Sequence, residues 1–434
     1  MTQRPNILLV TTDQHHPDFM GCAGHPLLKT PNLDRLAASG VRFTDAWCAT
    51  PLCTPARASI LSGQMPSRHR GYTIGVDTPE DCLSVARLLS EDGYHTALLG
   101  KAHFKRCGTE GSFESAPDIY DEEFFRDWRG PYYGFDEAQL IIGHTTEAHS
   151  AGMHYRVWLR DQGIDPDPYF TPKGQGTDYG VIGRWDLDEK HHPSKWLSDI
   201  TIDYLDRQKD SDRPFFAWVS FQDPHDPFKV PSPWSEMYRP EDVDLMPSHE
   251  GEFDDKPPFY KPIVEGRCED LPWHYNIGTP SAANCWTDED MRRRMTAIYM
   301  GMISMMDHHL GLILDHLEAT GQADNTIVVF TADHGDYLGH HGFRSKGLPA
   351  YDDVQRIPFI VRMPGAMQKA AGSASGAIVS QIDLAPTFLN WAGVEIPDAM
   401  QGLDVPEVLS GETDQGREEV VVELRPVRDG IYQK

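Results

Sequence analysis

Three short polar clusters in this 434-residue chain follow directly on apolar runs that read as β-strands. Thr12-Asp13-Gln14 closes the run that begins at Asn6, and Thr331-Ala-Asp333-His334-Gly-Asp336 follows the run 325–330. Gly100-Lys101-Ala-His103 follows Thr96–Leu99. In α/β sheets, ligands gather at the carboxyl ends of strands. Asp13, Gln14, Asp333 and His334 together offer mainly oxygen donors and one imidazole, a set that suits Ca²⁺, Mg²⁺ or Mn²⁺ better than zinc. An Asp at a strand end is also a common turn former or helix cap, so spacing alone leaves both readings open.

A fourth cluster is Pro51-Leu-Cys53-Thr-Pro55-Ala-Arg57-Ala-Ser-Ile-Leu61-Ser-Gly63. A lone cysteine is ordinarily a small buried hydrophobe. A C-x₅-R phosphate loop would need Arg where Ser59 stands, and no C-x-x-C pair offers dithiol chemistry or a tetrahedral zinc site.

The elements that must position these residues alternate between strand and helix, which predicts a large, mixed, mainly parallel sheet sandwiched by helices. Strands are expected at 6–12, 94–99, 214–221, 325–331 and 358–362. Helices are expected at 32–40, with Gly40 ending it left-handed, at about 83–93, at 194–208, and from Thr287 to Thr320. The methionines at 291, 295, 302, 305 and 306 fall at helical spacing and read as core. Residues 104–190 and 223–286 are rich in Pro, Gly, Asp and aromatics and are too long for ordinary connections. They are expected to be insertions that shape a substrate pocket, with Trp128, Tyr132, Tyr133, Trp158 and Trp185 either stacking on a ligand or packing the loops.

The composition excludes several classes. Hydrophobic residues at 39% and aromatics at 10% suffice for a packed core. With 39 Lys and Arg against 66 Asp and Glu, the net charge is 39 − 66 = −27. That balance argues against a nucleic-acid or anionic-membrane partner, and an anionic substrate would need a local cationic pocket or a metal. No apolar run approaches the ~20 residues of a bilayer span. Seven cysteines, an odd number with no C-x-x-C, together with the absence of a leader, predict reduced thiols in a cytoplasmic protein.

Cys53-x-Pro55-x-Arg57, continued by Leu61 and Gly63, resembles the signature of the type I sulfatases of the alkaline phosphatase superfamily, in which the cysteine is oxidised to formylglycine. The likeness runs along most of the chain. Pro5 to Gln14 resembles the family's opening strand and first metal ligands, and Thr30-Pro-Asn-Leu-Asp-Arg-Leu-Ala its following helix. Gly100-Lys-Ala-His103 is similar to the Gly-Lys-x-His element, and Asn325 through Asp336 to the second metal strand. Ile382-Asp-Leu-Ala-Pro-Thr-Phe-Leu with Gln401-Gly-Leu resembles the late helix and loop.

The resemblance implies that Asp13, Gln14, Asp333, His334 and the modified Cys53 hold one divalent cation, Ca²⁺ first, with Mg²⁺ and Mn²⁺ as alternatives. Most sulfatases carry Asp where Gln14 stands. Choline sulfatase-like and phosphonate monoester hydrolase-like members share the amide, which lowers the ligand charge by one. Arg57 is then expected to orient the formylglycine, Lys101 to neutralise sulfuryl charge, and His103 to act as base in sulfate release. His225, in Gln222-Asp-Pro-His225-Asp-Pro, and Lys346, in Arg344-Ser-Lys346-Gly, would protonate the leaving group. A thiol is a poor nucleophile here because attack would leave a stable thiosulfate-type adduct. A hydrated aldehyde offers one hydroxyl to sulfur while the other later expels sulfate. His340 and His341 match loop residues and not metal positions, and His15 and His16 read as loop.

The expected enzyme is thus a sulfuric ester hydrolase acting on a small anionic aryl, alkyl or carbohydrate sulfate, matured by formylglycine-generating machinery. The alternative is a phosphonate monoester or phosphodiester hydrolase of the same superfamily, a group in which the Lys-x-His pair is typically missing. An inert binding protein with unoxidised Cys53 is disfavoured by the presence of every charged catalytic position. Residues 1–395 are expected to form the catalytic domain. Residues 396–434, with a strand-like Glu419–Glu423, are expected to begin a small antiparallel C-terminal subdomain that is either reduced or truncated, and the surface this exposes is expected to be covered by a partner subunit, a second copy included, or to limit solubility.

Overall fold

Asn6–Thr12 (β1) is buried along almost its whole length because it lies at the middle of a sheet covered on both faces. The computed structural model describes residues 4–107, 110–143, 148–170, 182–246, 249–265, 267, 288–347, 349 and 351–424. The other strands of this eight-stranded sheet are Val41–Phe43 (β2), His95–Lys101 (β3), Glu137–Ile141 (β4), Phe215–Ser220 (β5), Thr326–Ala332 (β6), Phe359–Arg362 (β7) and Ser373–Ser375 (β8). Their order is β8-β2-β7-β6-β1-β5-β3-β4. The run from β6 to β4 is parallel, and β7 is antiparallel to both β6 and β2.

Alternation along β1 feeds two cores. Ile7 and Leu9 join one apolar cluster, while Leu8 and Val10 join the other. The first face is covered by Cys53–Ser62 (α2), Val85–Glu91 (α3) and Leu384–Ala392 (α6). The second is covered by Pro31–Ser39 (α1), Pro193–Gln208 (α4) and Glu289–Ala319 (α5). The mixed, mainly parallel, helix-sandwiched sheet expected from the sequence is therefore the observed fold. Met295, Met302, Met305 and Met306 on α5 are buried in the second core.

Several local expectations change. Gly40 ends α1 in an extended conformation (φ −131°) and not left-handed. Glycine is required there because a Cβ would meet the Val361 carbonyl oxygen at 2.3 Å. Thr287 lies outside the described residues, and Asp288 caps α5 by accepting from the amides of Asp290 at 3.0 Å and Met291 at 3.3 Å. The segment 104–190 contributes the edge strand β4, which pairs in parallel with β3. Its short Glu-Ala-Gln-Leu-Ile pattern carries too little periodicity to be recognised alone. Tyr132, Tyr133 and Trp185 are buried, and Trp128 and Trp158 pack against the cores, so these aromatics serve packing. Among the described residues Glu419–Glu423 pairs with no other strand; the Glu423 amide instead donates to the Ala49 carbonyl at 2.8 Å. No helix among the described residues is long and apolar enough to cross a membrane.

Candidate active site

Strand register assembles the site. Thr12 lies opposite Ala332 in the parallel β1–β6 pair. Asp13 and Asp333 therefore leave the sheet side by side, and the Asp333 amide donates to the Thr12 carbonyl at 3.1 Å. Ser220 of β5 faces Thr11 on one side and Gly100 on the other, which brings Lys101 and His103 to the same sheet end. α2 begins at Cys53 and all ten of its residues are buried. The positive end of its dipole sits at Cys53, and Arg57 lies one turn on along the same helix face.

Around the thiol, Cys53 Sγ is 3.3 Å from His334 Nε2, 3.7 Å from Asp13 Oδ1 and 2.6 Å from Lys346 Nζ. Arg57 Nε donates to Asp333 Oδ2 at 3.0 Å, and its Nη1 donates to Ser220 Oγ at 2.7 Å and to the Lys101 carbonyl at 3.0 Å. The Lys101 ammonium pairs with the Asp13 carboxylate. Lys346 Nζ also lies 2.6 Å from His225 Nε2. His225 Nδ1 points at the Asp226 carbonyl oxygen at 2.5 Å, which can only accept. Nδ1 thus carries the proton, and Nε2 accepts from Lys346. His103 lies at the margin of this network, with Nε2 3.3 Å from Cys107 Sγ and with Lys101, Asp13, Arg57 and Lys346 as its charged neighbours.

Burial sets the charge states. It pushes the Asp13 carboxyl up, but the charges of Lys101, Lys346 and Arg57 outweigh it and hold the group well below the usual carboxylate range. Burial lowers His334 to about 4, against the pull of Asp333, so its imidazole is neutral and able to ligate. Burial, then Lys346, holds His225 well below its ordinary value. Burial would also discharge Lys346, yet the Asp13 and Asp333 carboxylates raise it, so the lysine is the protonated member of that pair. Burial, with Asp13 adding to it, pushes the Cys53 thiol up to about 12, so the unmodified side chain is no thiolate. Three cations, Arg57, Lys101 and Lys346, therefore converge in a molecule of net charge −27. Asp13, Gln14, Cys53, Arg57, Lys101, Asp333 and His334 are all fully enclosed, whereas His225 and Lys346 retain 5% and 4% exposure and so mark the way in.

The residues present fit a divalent cation. Ligand atoms of Asp13, Cys53, Asp333 and His334 all lie within 4.8 Å of one another. His334 Nδ1 faces its neighbour's carbonyl, Gly335 O, at 2.9 Å, which leaves Nε2 for the centre. Gln14 has its Nε2 held by Asp336 Oδ2 at 2.5 Å and Asp226 Oδ1 at 3.3 Å, while its Oε1 is buried with no hydrogen-bond partner. A buried carbonyl oxygen left without a hydrogen-bond partner is a donor that a hard cation would satisfy. Gln14 and His103 also take left-handed backbone (φ 61° and 55°), a strain concentrated at functional sites. Sequence reasoning gave no role to Asp336, Asp226 or Ser220. The two aspartates stood inside quoted motifs, but nothing in one dimension marks them as partners of Gln14.

A sulfatase family model matches residues 5–394. The chain belongs to the sulfatase family. It is an enzyme, a sulfuric ester hydrolase, and its fold is that of the alkaline phosphatase superfamily. It is 30% identical to an arylsulfatase from Clostridium perfringens, an alignment that covers 94% of this chain and 78% of that protein. It is 28% identical to an N-acetylglucosamine-6-O-sulfatase from Bacteroides thetaiotaomicron, over 95% of this chain and 72% of the relative. Among solved structures, the phosphonate monoester hydrolase of Silicibacter pomeroyi superposes with a TM-score of 0.73 at 26% identity, covering 96% of this chain and 78% of that one. Members of this family generally use a metal ion and a formylglycine.

Proposed function

We propose that this sulfatase hydrolyses an organic sulfate monoester, an aryl, alkyl or carbohydrate sulfate, at a formylglycine made from Cys53 by maturation machinery. One cation, Ca²⁺ before Mg²⁺ or Mn²⁺, is held by Asp13, Gln14, Asp333, His334 and the modified residue. The observation that carries this reading is the placement of Cys53 at the amino end of a buried helix, ringed by the candidate ligands on one side and by Lys346 on the other. When bound, the cation supplies charge compensation and activates the nucleophilic hydroxyl.

The chain's own groups do the rest. Arg57, locked by Asp333, Ser220 and the Lys101 carbonyl, fixes the position of residue 53. Lys101 and Lys346 stabilise charge on the sulfuryl oxygens. Lys346, protonated and turned toward His225, supplies the leaving-group proton from the less enclosed side of the site. His103, neutral by burial and by Lys101, takes the proton during sulfate release.

The phosphonate monoester hydrolase reading draws on Gln14 and on the structural likeness, while the Lys101–His103 pair supports sulfate. Comparing kcat/KM on nitrophenyl sulfate with that on a nitrophenyl phosphodiester and a phosphonate monoester tests the assignment. Higher kcat/KM on sulfate is expected, and a much larger value on either phosphorus ester overturns it.

A further inference from the structure

Tyr299, in the apolar middle of α5, is fully buried and reaches the loop that leaves β1 at the metal side. Its hydroxyl donates to the Gln14 carbonyl at 2.8 Å and accepts from the His16 backbone amide at 2.8 Å. A phenol has one proton to give and lone pairs to receive, so the two bonds form together. One oxygen thus bridges the residues on either side of His15.

Gln14 is the residue that needs this bridge. Its φ of 61° is left-handed, a conformation that a residue with a Cβ keeps only where its surroundings dictate it. The Gln14 backbone amide donates to Asp333 Oδ1 at 3.0 Å and the Gln14 carbonyl receives from Tyr299, so the peptide groups on both sides of its Cα are pinned. The backbone amides of Asp13 and His15 are bound by the active edge itself, through the carbonyls of Asp223 at 3.3 Å and His334 at 3.0 Å. Tyr299 reaches in from the helix layer instead. From this fixed backbone the Gln14 side chain runs to Asp336 and Asp226, which hold its Nε2, and its Oε1 is buried without a hydrogen-bond partner. The Tyr299 ring is held edge-on by Phe19 at 5.4 Å and by Phe228 at 5.6 Å. Phe228 directly follows His225-Asp226-Pro227, so the same ring packs against chain from the metal side and from the leaving-group side.

We propose that Tyr299 is a positioning residue for the catalytic cation: its hydroxyl holds Gln14 in the left-handed conformation from which the side-chain carbonyl serves as a ligand. The inference rests on the reading of Gln14 as a metal ligand and goes beyond it, since Tyr299 acts through Gln14 and not by ligation. Without the phenol oxygen, the Gln14 carbonyl and the His16 amide are two buried groups that have lost their shared partner. Residue 14 then gains by leaving the left-handed region, and its side chain leaves the grip of Asp336.

The test uses the full chain, stripped of metal, with calcium affinity read by calorimetry. Tyr299→Phe keeps the ring and its contacts with Phe19 and Phe228 and removes only the oxygen. Calcium affinity is expected to fall about tenfold. A merely structural role would lower Tm equally with and without calcium, whereas lost positioning shrinks the rise in Tm that calcium gives. In Gln14→Gly both the ligand oxygen and the backbone strain are gone. That variant is expected to bind calcium about tenfold more weakly or worse, and adding Tyr299→Phe to it should change the affinity less than about twofold. No uptake of Ca²⁺, Mg²⁺ or Mn²⁺ by the wild type, or wild-type affinity in Gln14→Gly, overturns the metal reading of Gln14 and this inference together. A weakened Gln14→Gly beside an unaltered Tyr299→Phe overturns the role of Tyr299 alone, as do equal losses from Tyr299→Phe in both backgrounds. If Tyr299→Phe fails to fold, the double variant, relieved of strain by glycine, is expected to fold; a double variant that also fails makes Tyr299 a core residue only and overturns the proposal.

Discussion

The side-chain amide of Gln14 donates from Nε2 to Asp336 Oδ2 at 2.5 Å, which fixes which end of the amide is bound and leaves Oε1 buried without a hydrogen-bond partner. A carboxylate at position 14 would have two equivalent oxygens and need no such orientation. An amide has one ligating end, and a buried partner must select it. Replacing Asp336 by Ala frees the amide to rotate. Calcium affinity is expected to fall about 10–100-fold with far-UV circular dichroism unchanged, read by calorimetry. Unaltered affinity would refute the orienting role.

Lys346 Nζ lies 2.6 Å from both Cys53 Sγ and His225 Nε2. Lys346→Ala is expected to lower kcat/KM by about 10²–10⁴-fold on an alkyl sulfate, whose alkoxide must be protonated as it leaves. The loss should be smaller on nitrophenyl sulfate, whose phenolate leaves unaided. Equal losses on the two esters would assign Lys346 to charge stabilisation alone.

Unmodified Cys53, fully buried and with its thiol pushed up to about 12, is expected to resist iodoacetamide at pH 8 in the folded protein and to react only after unfolding. Peptide mass spectrometry reads the labelled fraction beside the fraction converted to aldehyde. Rapid labelling of native protein at Cys53 would show a reactive thiolate that this geometry does not support.

Glu114 lies fully buried, with Oε1 accepting from the Phe104 amide at 3.1 Å and from the Tyr132 hydroxyl at 2.6 Å, while Oε2 has no partner. Burial lifts its acid to about 7 against these bonds, above the 4.5 of an exposed glutamate. A raised acid binds its proton more tightly folded than unfolded. Its contribution to stability is thus present at low pH and is lost between about pH 4.5 and 7, by on the order of 3 kcal/mol. Glu114→Gln mimics the protonated form and should melt with a smaller fall between pH 5 and 8 than the wild type. Parallel pH profiles of Tm for the two proteins would contradict this.

Much of the chain was legible in one dimension because its signals are local. The apolar runs at 6–12, 215–220 and 326–332 declare buried parallel strands, and the polar residues after them declare the active edge, since a ligand-bearing loop must follow a strand directly. Cys53 and Arg57 sit one helical turn apart, so their shared face is a property of the helix alone. Tertiary structure alone decided the rest. Register set Asp13 beside Asp333, and the edge strand Glu137–Ile141 exists only because β3 offers it a ladder. Gly40 answers to a carbonyl on a strand more than 300 residues away. The Gln14 amide is oriented by Asp336, and His340, His341, Asp353 and Glu252 meet only through loop packing. Such contacts join distant segments by distance and direction, quantities that residue order does not carry.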